Sequence, residues 1–440
     1  MGINFSYRPF LTFDKKQLSD LYIVRLAPSE NFVDVEWIGV DDEFIVKVLK
    51  DGQEVKTVKL QEKRVRIGGL ENNTEYSLTV ESSKRKSLTR LFRTGDFRGT
   101  VVNYLHPLDR QYEYHGTYLA SPDIVRFKGN LYVSMDIFKN RKKGEKGACN
   151  LTLLYRSKDN GKTWEYVADL LPAFWGSLFV VQDKLCLIAS SAENGSLIIS
   201  CSTDGENWES PTELLRGMGN ADLPGVHKAP GAVWIEKERL YIAVEVGSYG
   251  IKRLDNLLAV ADLTKNIMDY EAWTFTSPAM VDFSWGGDQD IRFAIEGNAV
   301  GRNGEIFNIL RFAYGKALMM KYDKDNPEAA CKFHKVIDFP LGHCKFYIQQ
   351  AENGTYYAMG NPSCYPRNQL ELYKSYDLEQ WEKVKTLEDI SILDIETNGY
   401  QYPSFILEGK KAYTVIRTAL NGAVSFHDSN TIVFREFEIE

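Results

Sequence analysis

Cysteine and histidine are scarce in this chain, with six of each among 440 residues. No two cysteines form a C-x-x-C pair, and none has a metal-ligand spacing to a histidine. These absences argue against a metal centre, and we expect no metal and no cofactor. Cys186 and Cys201 lie in neighbouring strand-like runs. The sequence allows either a disulfide between them or two buried free thiols.

A net positive charge and long apolar runs are also lacking. The formal net charge of −7 argues against a nucleic-acid surface. No apolar run is long enough to span a membrane, and the first five residues have neither the charged leader nor the apolar core of a signal peptide. The sequence as it stands predicts a cytoplasmic protein; a periplasmic or secreted protein is the alternative if residues were removed from its start.

Aromatic residues are abundant by contrast, with 24 Tyr, 23 Phe and 8 Trp. They suit a chain of many β-strands, and most of them should pack in cores. Aromatic faces also stack on the C–H surfaces of sugar rings, so this composition is compatible with carbohydrate binding.

From Leu21 to about Thr94 the sequence alternates between apolar and polar residues, with an Asp51-Gly52 turn between two alternating runs. The segment from Leu70 to Tyr76 resembles the E–F corner of fibronectin type III domains, where a Tyr hydroxyl bonds back to the backbone. Trp37 lies where that family keeps its core Trp. We therefore expect a small fibronectin III-like β-sandwich, with a lead-in, over residues 1–95.

The most distinctive motif is S-x-D-x-G-x-T-W at residues 157–164. Asp and Asn can bond their own backbone two residues on, and Gly supplies positive φ, so the motif predicts a hairpin turn. It resembles the Asp-box of sialidase-like β-propellers. Fainter copies occur at residues 202–208 and 375–381, each between strand-like runs. Such recurrence is typical of a propeller, in which each repeat is one four-stranded blade.

Residues 96–440 divide into six such groups of strands, with Thr100–Tyr104 closing the sixth group. The fold prediction is therefore an all-β chain with a six-bladed β-propeller catalytic domain at 96–440, preceded by the β-sandwich; five blades is the alternative.

Polar residues recur where the innermost strand of each blade starts and where its second strand ends, which places them on one face of a propeller. Glu245 and Glu296 follow apolar runs on neighbouring blades, and a carboxyl pair is what glycoside cleavage needs. We take Glu296 and Glu245 as acid/base and nucleophile or base, in either order. Asp123 is the reserve carboxylate, and His227 is the reserve base.

The start of the innermost strand and the end of the second strand of each blade also supply candidate substrate-binding residues, many of them cationic or aromatic. Two His-Lys pairings and several arginines would suit an acidic sugar, since Arg pairs with carboxylates through two hydrogen bonds. The candidates are Lys228, Asn298, Arg311, His343, Lys345, Asn361, Tyr402, Arg417 and His427.

Over residues 100–440 the chain resembles the BNR or Asp-box sialidase-like superfamily, in particular a bacterial branch of it. The resemblance rests on His-Lys-Ala-Pro at 227–230, Glu-Gly-Asn at 296–298 leading to Asn-Ile-Leu-Arg at 308–311, and Arg-Thr-Ala at 417–419 with His-Asp at 427–428. True sialidases carry an Arg-Ile-Pro motif whose Arg joins two others on the sialic carboxylate. Here no Arg precedes Pro122, which argues against sialic acid, and no local motif identifies the Tyr nucleophile of that family.

These observations predict an exo-acting glycoside hydrolase that takes an acidic or complex-glycan terminal sugar. A polysaccharide lyase acting on uronic-acid glycans is one alternative, in which His227, His343 and Tyr402 matter more than the glutamates. A carbohydrate-binding propeller without catalysis is the other.

Overall fold

The computed structural model describes residues 21–139, 148–218, 223–289, 291 and 293–440. Its regular structure is nearly all β-strand, as predicted. Within these ranges the helices are two short 3-10 turns, Tyr270–Ala272 and Phe283–Gly286, and no helix has the length and apolar character needed to cross a membrane. The predicted lead-in at residues 1–17 lies outside the described residues.

The first seven strands form two facing sheets, with strand orders β1-β2-β5 and β4-β3-β6-β7. Trp37 is buried between them and packs edge-to-face on Phe44, with ring centres 5.4 Å apart. The backbone N–H of Glu71 donates to the Tyr76 hydroxyl at 2.9 Å, which is the corner contact expected from the sequence. The strands are β1 (Tyr22–Pro28), β2 (Phe32–Ile38), β3 (Phe44–Lys50), β4 (Gln53–Leu60), β5 (Arg64–Gly68), β6 (Glu75–Glu81) and β7 (Arg90–Arg93).

The remaining strands form six sheets, numbered here in chain order. Sheet 1 contains β9 (Tyr118–Phe127), β10 (Asn130–Phe138), β11 (Leu151–Ser157) and β12 (Glu165–Leu170), and sheet 2 contains β13 (Phe174–Val181), β14 (Lys184–Ser190), β15 (Leu197–Ser202) and β16 (Thr212–Leu215). Sheet 3 contains β17 (Gly225–His227), β18 (Trp234–Glu236), β19 (Arg239–Ser248), β20 (Arg253–Asp262) and β21 (Trp273–Phe275).

Sheets 4 to 6 continue the same pattern. Sheet 4 contains β22 (Ile295–Arg302), β23 (Glu305–Ala313), β24 (Lys316–Lys321) and β25 (Lys332–Asp338), and sheet 5 contains β26 (Phe346–Gln350), β27 (Tyr356–Gly360), β28 (Gln369–Ser375) and β29 (Glu382–Asp389). Sheet 6 contains β30 (Gly399–Glu408), β31 (Lys411–Ala419), β32 (Thr431–Glu438) and β8 (Thr100–Tyr104). The pairing of β8 with β32 therefore joins the two ends of this region, as predicted.

In sheet 3 the first strand is interrupted. Both β17 and β18 pair with β19, and residues 228–233 between them leave the sheet. Pro230 lies in this interval and has no N–H to donate to β19, so the ladder cannot run through it.

One polar contact joins the first strand of each sheet, or the segment beside it, to the next sheet in turn. The contacts run from Leu178 N to Asp123 Oδ2 (2.7 Å), Gly231 N to Ser177 Oγ (3.1 Å), Gly297 N to Glu245 Oε1 (3.2 Å), Ile348 N to Asn298 Oδ1 (3.1 Å), Lys345 Nζ to the Pro403 carbonyl oxygen (2.5 Å) and Ile124 N to Ser404 Oγ (3.4 Å). The six contributing side chains are all buried. Since the last contact returns from sheet 6 to sheet 1, the sheets close into a ring, and we call this set the polar ring.

The three S-x-D turns connect β11 to β12, β15 to β16 and β28 to β29, and they share one hydrogen-bond pattern. In each turn the Ser hydroxyl accepts a backbone N–H, from Gly161 at 2.8 Å, Gly205 at 2.8 Å and Leu378 at 2.9 Å. Those three residues have φ values of 86°, 81° and 62°. The pattern thus persists where Leu378 replaces glycine.

We expect Gly161→Ala to destabilise the protein more than Gly304→Ala, a matched change in another hairpin. Both glycines have positive φ (86° and 78°), so alanine costs about 1–2 kcal/mol at either site. At Gly161 the new Cβ would also lie 2.0 Å from Phe434, whereas at Gly304 it meets nothing within 4 Å. Overpacking adds roughly 1–3 kcal/mol to the loss of unfolding free energy. Urea unfolding measures both variants, and equal losses would contradict the packing role of Gly161.

Candidate active site

Four of the six sheets have the same irregularity near the start of their first strand. The pairing register shifts there, as at a β-bulge. At each shift one residue has positive φ: Ser121 at 47°, Trp175 at 55°, Glu296 at 57° and Tyr402 at 50°. Bulges redirect side chains, and strained backbone of this kind clusters at functional sites. All four residues line one cavity of about 300 Å³.

Glu296 lies at the centre of this site, between a cation and a phenol. Arg311 Nη1 donates to its Oε2 at 2.9 Å, and the Tyr402 hydroxyl donates to its Oε1 at 2.8 Å. Burial raises the pKa of Glu296, but Arg311, His227 and Tyr402 together outweigh burial and hold that pKa below its ordinary value. Glu296 is therefore a carboxylate at neutral pH and can accept a proton.

Tyr402 carries its proton in the resting site. Burial, followed by the charge of Glu296, raises the pKa of Tyr402 to about 12. The guanidinium groups of Arg417 and Arg367 lie 5.1 and 5.6 Å from its ring centre. The phenol is thus poised to lose a proton only when Glu296 accepts it.

His227 forms a second hydrogen-bonded unit in the same cavity. Its Nδ1 lies 2.8 Å from Glu245 Oε2, and its Nε2 lies 3.2 Å from the Tyr249 hydroxyl. In the tautomer with its proton on Nδ1, the imidazole donates to Glu245 and leaves Nε2 free to accept. Glu245 therefore orients the imidazole with Nε2 toward the hydroxyl of Tyr249, another cavity-lining residue.

The wall beside His227 is aromatic. The ring of Trp175 lies 4.7 Å from the imidazole, and Tyr249 packs at 5.4 Å from it. Phe138 lies 6.4 Å from Trp175. The rings meet edge-to-face or tilted, and a single aromatic face among them, such as that of Trp175, is suited to the face of a sugar ring.

Arg417 supplies a positive charge to the cavity with hydrogen-bonding capacity left over. It is 3% exposed, and its Nη2 donates to the His427 carbonyl oxygen. Among the described residues its Nε has no hydrogen-bond partner. Burial and the neighbouring Arg417 lower the pKa of His427 to about 4, so this imidazole is neutral and adds no second positive charge beside Arg417.

Several predicted site residues lie in the polar ring instead of the cavity wall. Asp123, Glu245, Asn298 and Lys345 are at most 2% exposed, and each joins two sheets. Their placement favours structural and positioning roles, and the prediction that Asp123 or Glu245 takes part directly in catalysis stays a prediction.

The other predicted residues are held by local bonds. Lys228 lines the cavity, but its ammonium donates to the Trp175 carbonyl oxygen at 2.9 Å and to Ser177 Oγ at 2.8 Å. Burial lowers the pKa of this lysine to about 8. Asn361 Nδ2 donates to two backbone carbonyl oxygens at 2.6 Å, and His343 Nδ1 accepts the Cys364 N–H at 3.3 Å.

Sequence reasoning selected Glu296, His227, Lys228, Tyr402, Arg417 and His427, which the structure brings together at the cavity. It did not select Phe138, Tyr249, Arg367 or Cys364. Arg367 and Cys364 lie in the irregular segment between β27 and β28, where no alternation marks them. In the described ranges, no three His, Cys, Asp or Glu side chains are grouped so that they could hold a metal ion.

The sequence matches no protein-family model and no curated protein. The fold, however, is similar to solved glycoside hydrolases. The Trypanosoma rangeli sialidase in complex with 2,3-difluoro-KDN aligns with a TM-score of 0.54 and 12% identity, over 78% of this chain and 57% of that chain. A point mutant of an α-L-arabinofuranosidase from Fusarium graminearum, in complex with an iminosugar inhibitor, aligns with a TM-score of 0.51 and 13% identity, over 77% of this chain and 97% of that chain.

At these identities the similarity shows the fold alone. The chain spans little more than half the length of the sialidase that it matches. The nearly all-β architecture of many four-stranded sheets is that of β-propeller glycosidases, which confirms the predicted fold class at this level.

We expect the pKa of His427 to move in opposite directions in two variants. Arg417 lowers this pKa, so Arg417→Gln should raise it from about 4 toward its ordinary value of 6.5. Asp428 raises it, so Asp428→Asn should lower it further. NMR titration of the histidine ring signals, assigned with His427→Gln, measures both. A pKa that falls in Arg417→Gln would contradict this electrostatic arrangement.

Proposed function

We propose that this chain is an exo-acting glycoside hydrolase that removes a terminal sugar bearing a carboxylate. The observation that carries the proposal is the hydrogen bond from the Tyr402 hydroxyl to Glu296 Oε1 at 2.8 Å in the cavity. It pairs a nucleophile with a base within proton-transfer distance. The similarity in fold to a sialidase and an arabinofuranosidase supports the general class of reaction.

In the first step the Tyr402 oxygen attacks the anomeric carbon of the sugar while its proton passes to Glu296. The bond to the leaving oxygen breaks, and a protonated His227 gives that oxygen a proton. In the second step neutral His227 takes a proton from water, and the resulting hydroxide displaces Tyr402, which recovers its proton from Glu296. This double displacement retains the configuration at the anomeric carbon.

The acidic character of the substrate follows from Arg417. Arg417 lines the cavity and is 3% exposed. A guanidinium binds a carboxylate with two hydrogen bonds, so a carboxylate on the substrate suits this cation. Trp175 lines the same cavity as Arg417, so its ring could stack on the sugar ring.

The finer architecture is part of the same proposal. The six sheets would be the six blades of one propeller over residues 96–440, and the seven preceding strands a fibronectin III-like module within residues 1–95. The sheet order β1-β2-β5 against β4-β3-β6-β7 and the bond from Glu71 N to the Tyr76 hydroxyl support that module. The shared bonding of the three S-x-D turns supports their identification as Asp-boxes.

A lyase acting on uronic-acid glycans is the second candidate, and one contact favours it. The Tyr249 hydroxyl lies 3.2 Å from His227 Nε2, so the imidazole could help this phenol to abstract the proton next to a uronic carboxylate. In that reaction Arg417 would neutralise the carboxylate. Elimination leaves a C=C bond that absorbs in the ultraviolet, whereas hydrolysis leaves none.

We expect Tyr402→Phe and Glu296→Gln to abolish most turnover on the substrate found in a panel of aryl glycosides and acidic oligosaccharides. Loss of the base lowers kcat/KM by about 10²–10⁴-fold, and loss of the nucleophile by at least as much. Tyr400→Phe is the matched control, because Tyr400 is buried on the same strand and its hydroxyl has no partner among the described side chains. It should keep turnover within a few-fold of the unmodified protein.

Reducing-end release and ultraviolet absorbance are followed together in that panel. Full activity of Tyr402→Phe would contradict the proposed nucleophile. An ultraviolet signal that is lost in Tyr249→Phe but kept in Tyr402→Phe would establish the lyase instead, and binding of glycans without turnover would favour a carbohydrate-binding protein.

A further inference from the structure

Two cysteines lie next to the cation that holds Glu296. Cys344 Sγ is 3.1 Å from Cys364 Sγ, and Arg311 Nη2 donates to Cys364 Sγ at 3.0 Å. Cys344 is buried, whereas Cys364 is partly exposed. Cys364 is therefore the more exposed residue of the pair, and Cys344 can reach its sulfur without a large movement.

The surroundings of Cys364 favour its thiolate. The hydrogen bond that Cys344 donates to it lowers its pKa most; burial raises the pKa, and the charges of Arg311 and Arg367 lower it again, so that it lies well below the ordinary value. When protonated, the thiol can donate to the His343 carbonyl oxygen at 2.7 Å. By contrast, burial raises the pKa of the Cys331 thiol to about 12. Reactivity toward oxidants follows thiolate character and access, which here coincide at Cys364.

We propose that Cys344 and Cys364 form a redox-active dithiol that small disulfides, such as oxidised glutathione, convert to an intramolecular disulfide. The Cys364 thiolate attacks one sulfur of glutathione disulfide and releases one glutathione thiolate, which leaves a mixed disulfide. The Cys344 sulfur, after losing its proton, attacks Cys364 Sγ and releases the second glutathione. Two electrons pass from the protein to the reagent, and each glutathione thiolate takes up a proton.

Oxidation of the dithiol would affect Glu296 through Arg311, which contacts both Cys364 Sγ and Glu296 Oε2. A disulfide sulfur carries no negative charge, so the guanidinium would lose one of its two anionic partners. Its charge would then act more fully on Glu296, lower the pKa of that carboxyl and make it a weaker base. This consequence rests on the proposed glycosidase, and it predicts a slower oxidised enzyme.

The dithiol is tested by intact mass, which needs no substrate. In protein whose Cys186–Cys201 disulfide is intact, glutathione disulfide should remove two hydrogen atoms and link the peptides of Cys344 and Cys364. Cys344→Ser should stop at a mixed disulfide with glutathione on Cys364, and Cys364→Ser should not react at this site. Cys331→Ser is the matched control, since it removes a free cysteine elsewhere and should react like the unmodified protein.

Equal reaction of Cys364→Ser and the unmodified protein, or an unlinked pair after oxidation, would overturn the proposal. The effect on the site is tested by the ratio of oxidised to reduced kcat/KM within each protein. We expect about a tenfold loss, reversible by dithiothreitol, in the unmodified protein and in Cys331→Ser but not in Cys364→Ser. Absence of any turnover would overturn the proposed function, while the mass result would still decide the dithiol.

Discussion

The arrangement of the six sheets depends on backbone N–H groups that no strand partner can satisfy. The first strand of a sheet has one free edge, which faces the neighbouring sheets, and a buried N–H there needs an acceptor. Asp123, Asn298 and Ser404 each accept such an N–H from the next sheet, at 2.7 to 3.4 Å, and Ser177 accepts the Gly231 N–H from the segment between β17 and β18. The relative positions of the sheets, and so the shape of the cavity between them, follow from these bonds.

The same four residues stand two positions after the four positive-φ residues of the bulges. A polar-ring contact therefore fixes the strand immediately after each bulge, and the bulge turns the preceding side chain toward the cavity. In this way Glu296 and Tyr402, from sheets 4 and 6, come within hydrogen-bond distance although they are 106 residues apart. The backbone strain is offset by the ring contacts and by the hydrogen bonds that the redirected side chains make.

Much of this fold could be predicted from the sequence because alternation and turn chemistry are local. The strands, the S-x-D turns and the corner around Tyr76 each follow from a few neighbouring residues. That Glu296, His227 and Arg417 lie on one face was also predictable, since they recur at strand ends, and all three line the cavity.

The role of each polar residue at those ends could not be predicted. A bulge changes the direction in which side chains point. Ser121 therefore lines the cavity, whereas Asp123, the better candidate for catalysis from the sequence, accepts a hydrogen bond from the Leu178 N–H. Both oxygens of Glu245 are hydrogen-bonded, one to His227 Nδ1 and one to the Gly297 N–H, and these long-range contacts are not encoded in any local pattern. Arg367 and Cys364 come from an irregular segment, and only the three-dimensional structure brings them beside Tyr402 and Arg311.

A crystal structure with a carboxylated monosaccharide, such as glucuronate or sialate, tests the central claim most directly. We expect the ligand carboxylate to accept hydrogen bonds from the Arg417 guanidinium, with the anomeric carbon close to the Tyr402 hydroxyl. A sugar bound with its carboxylate away from Arg417 and its anomeric carbon away from Tyr402 would contradict the proposed site.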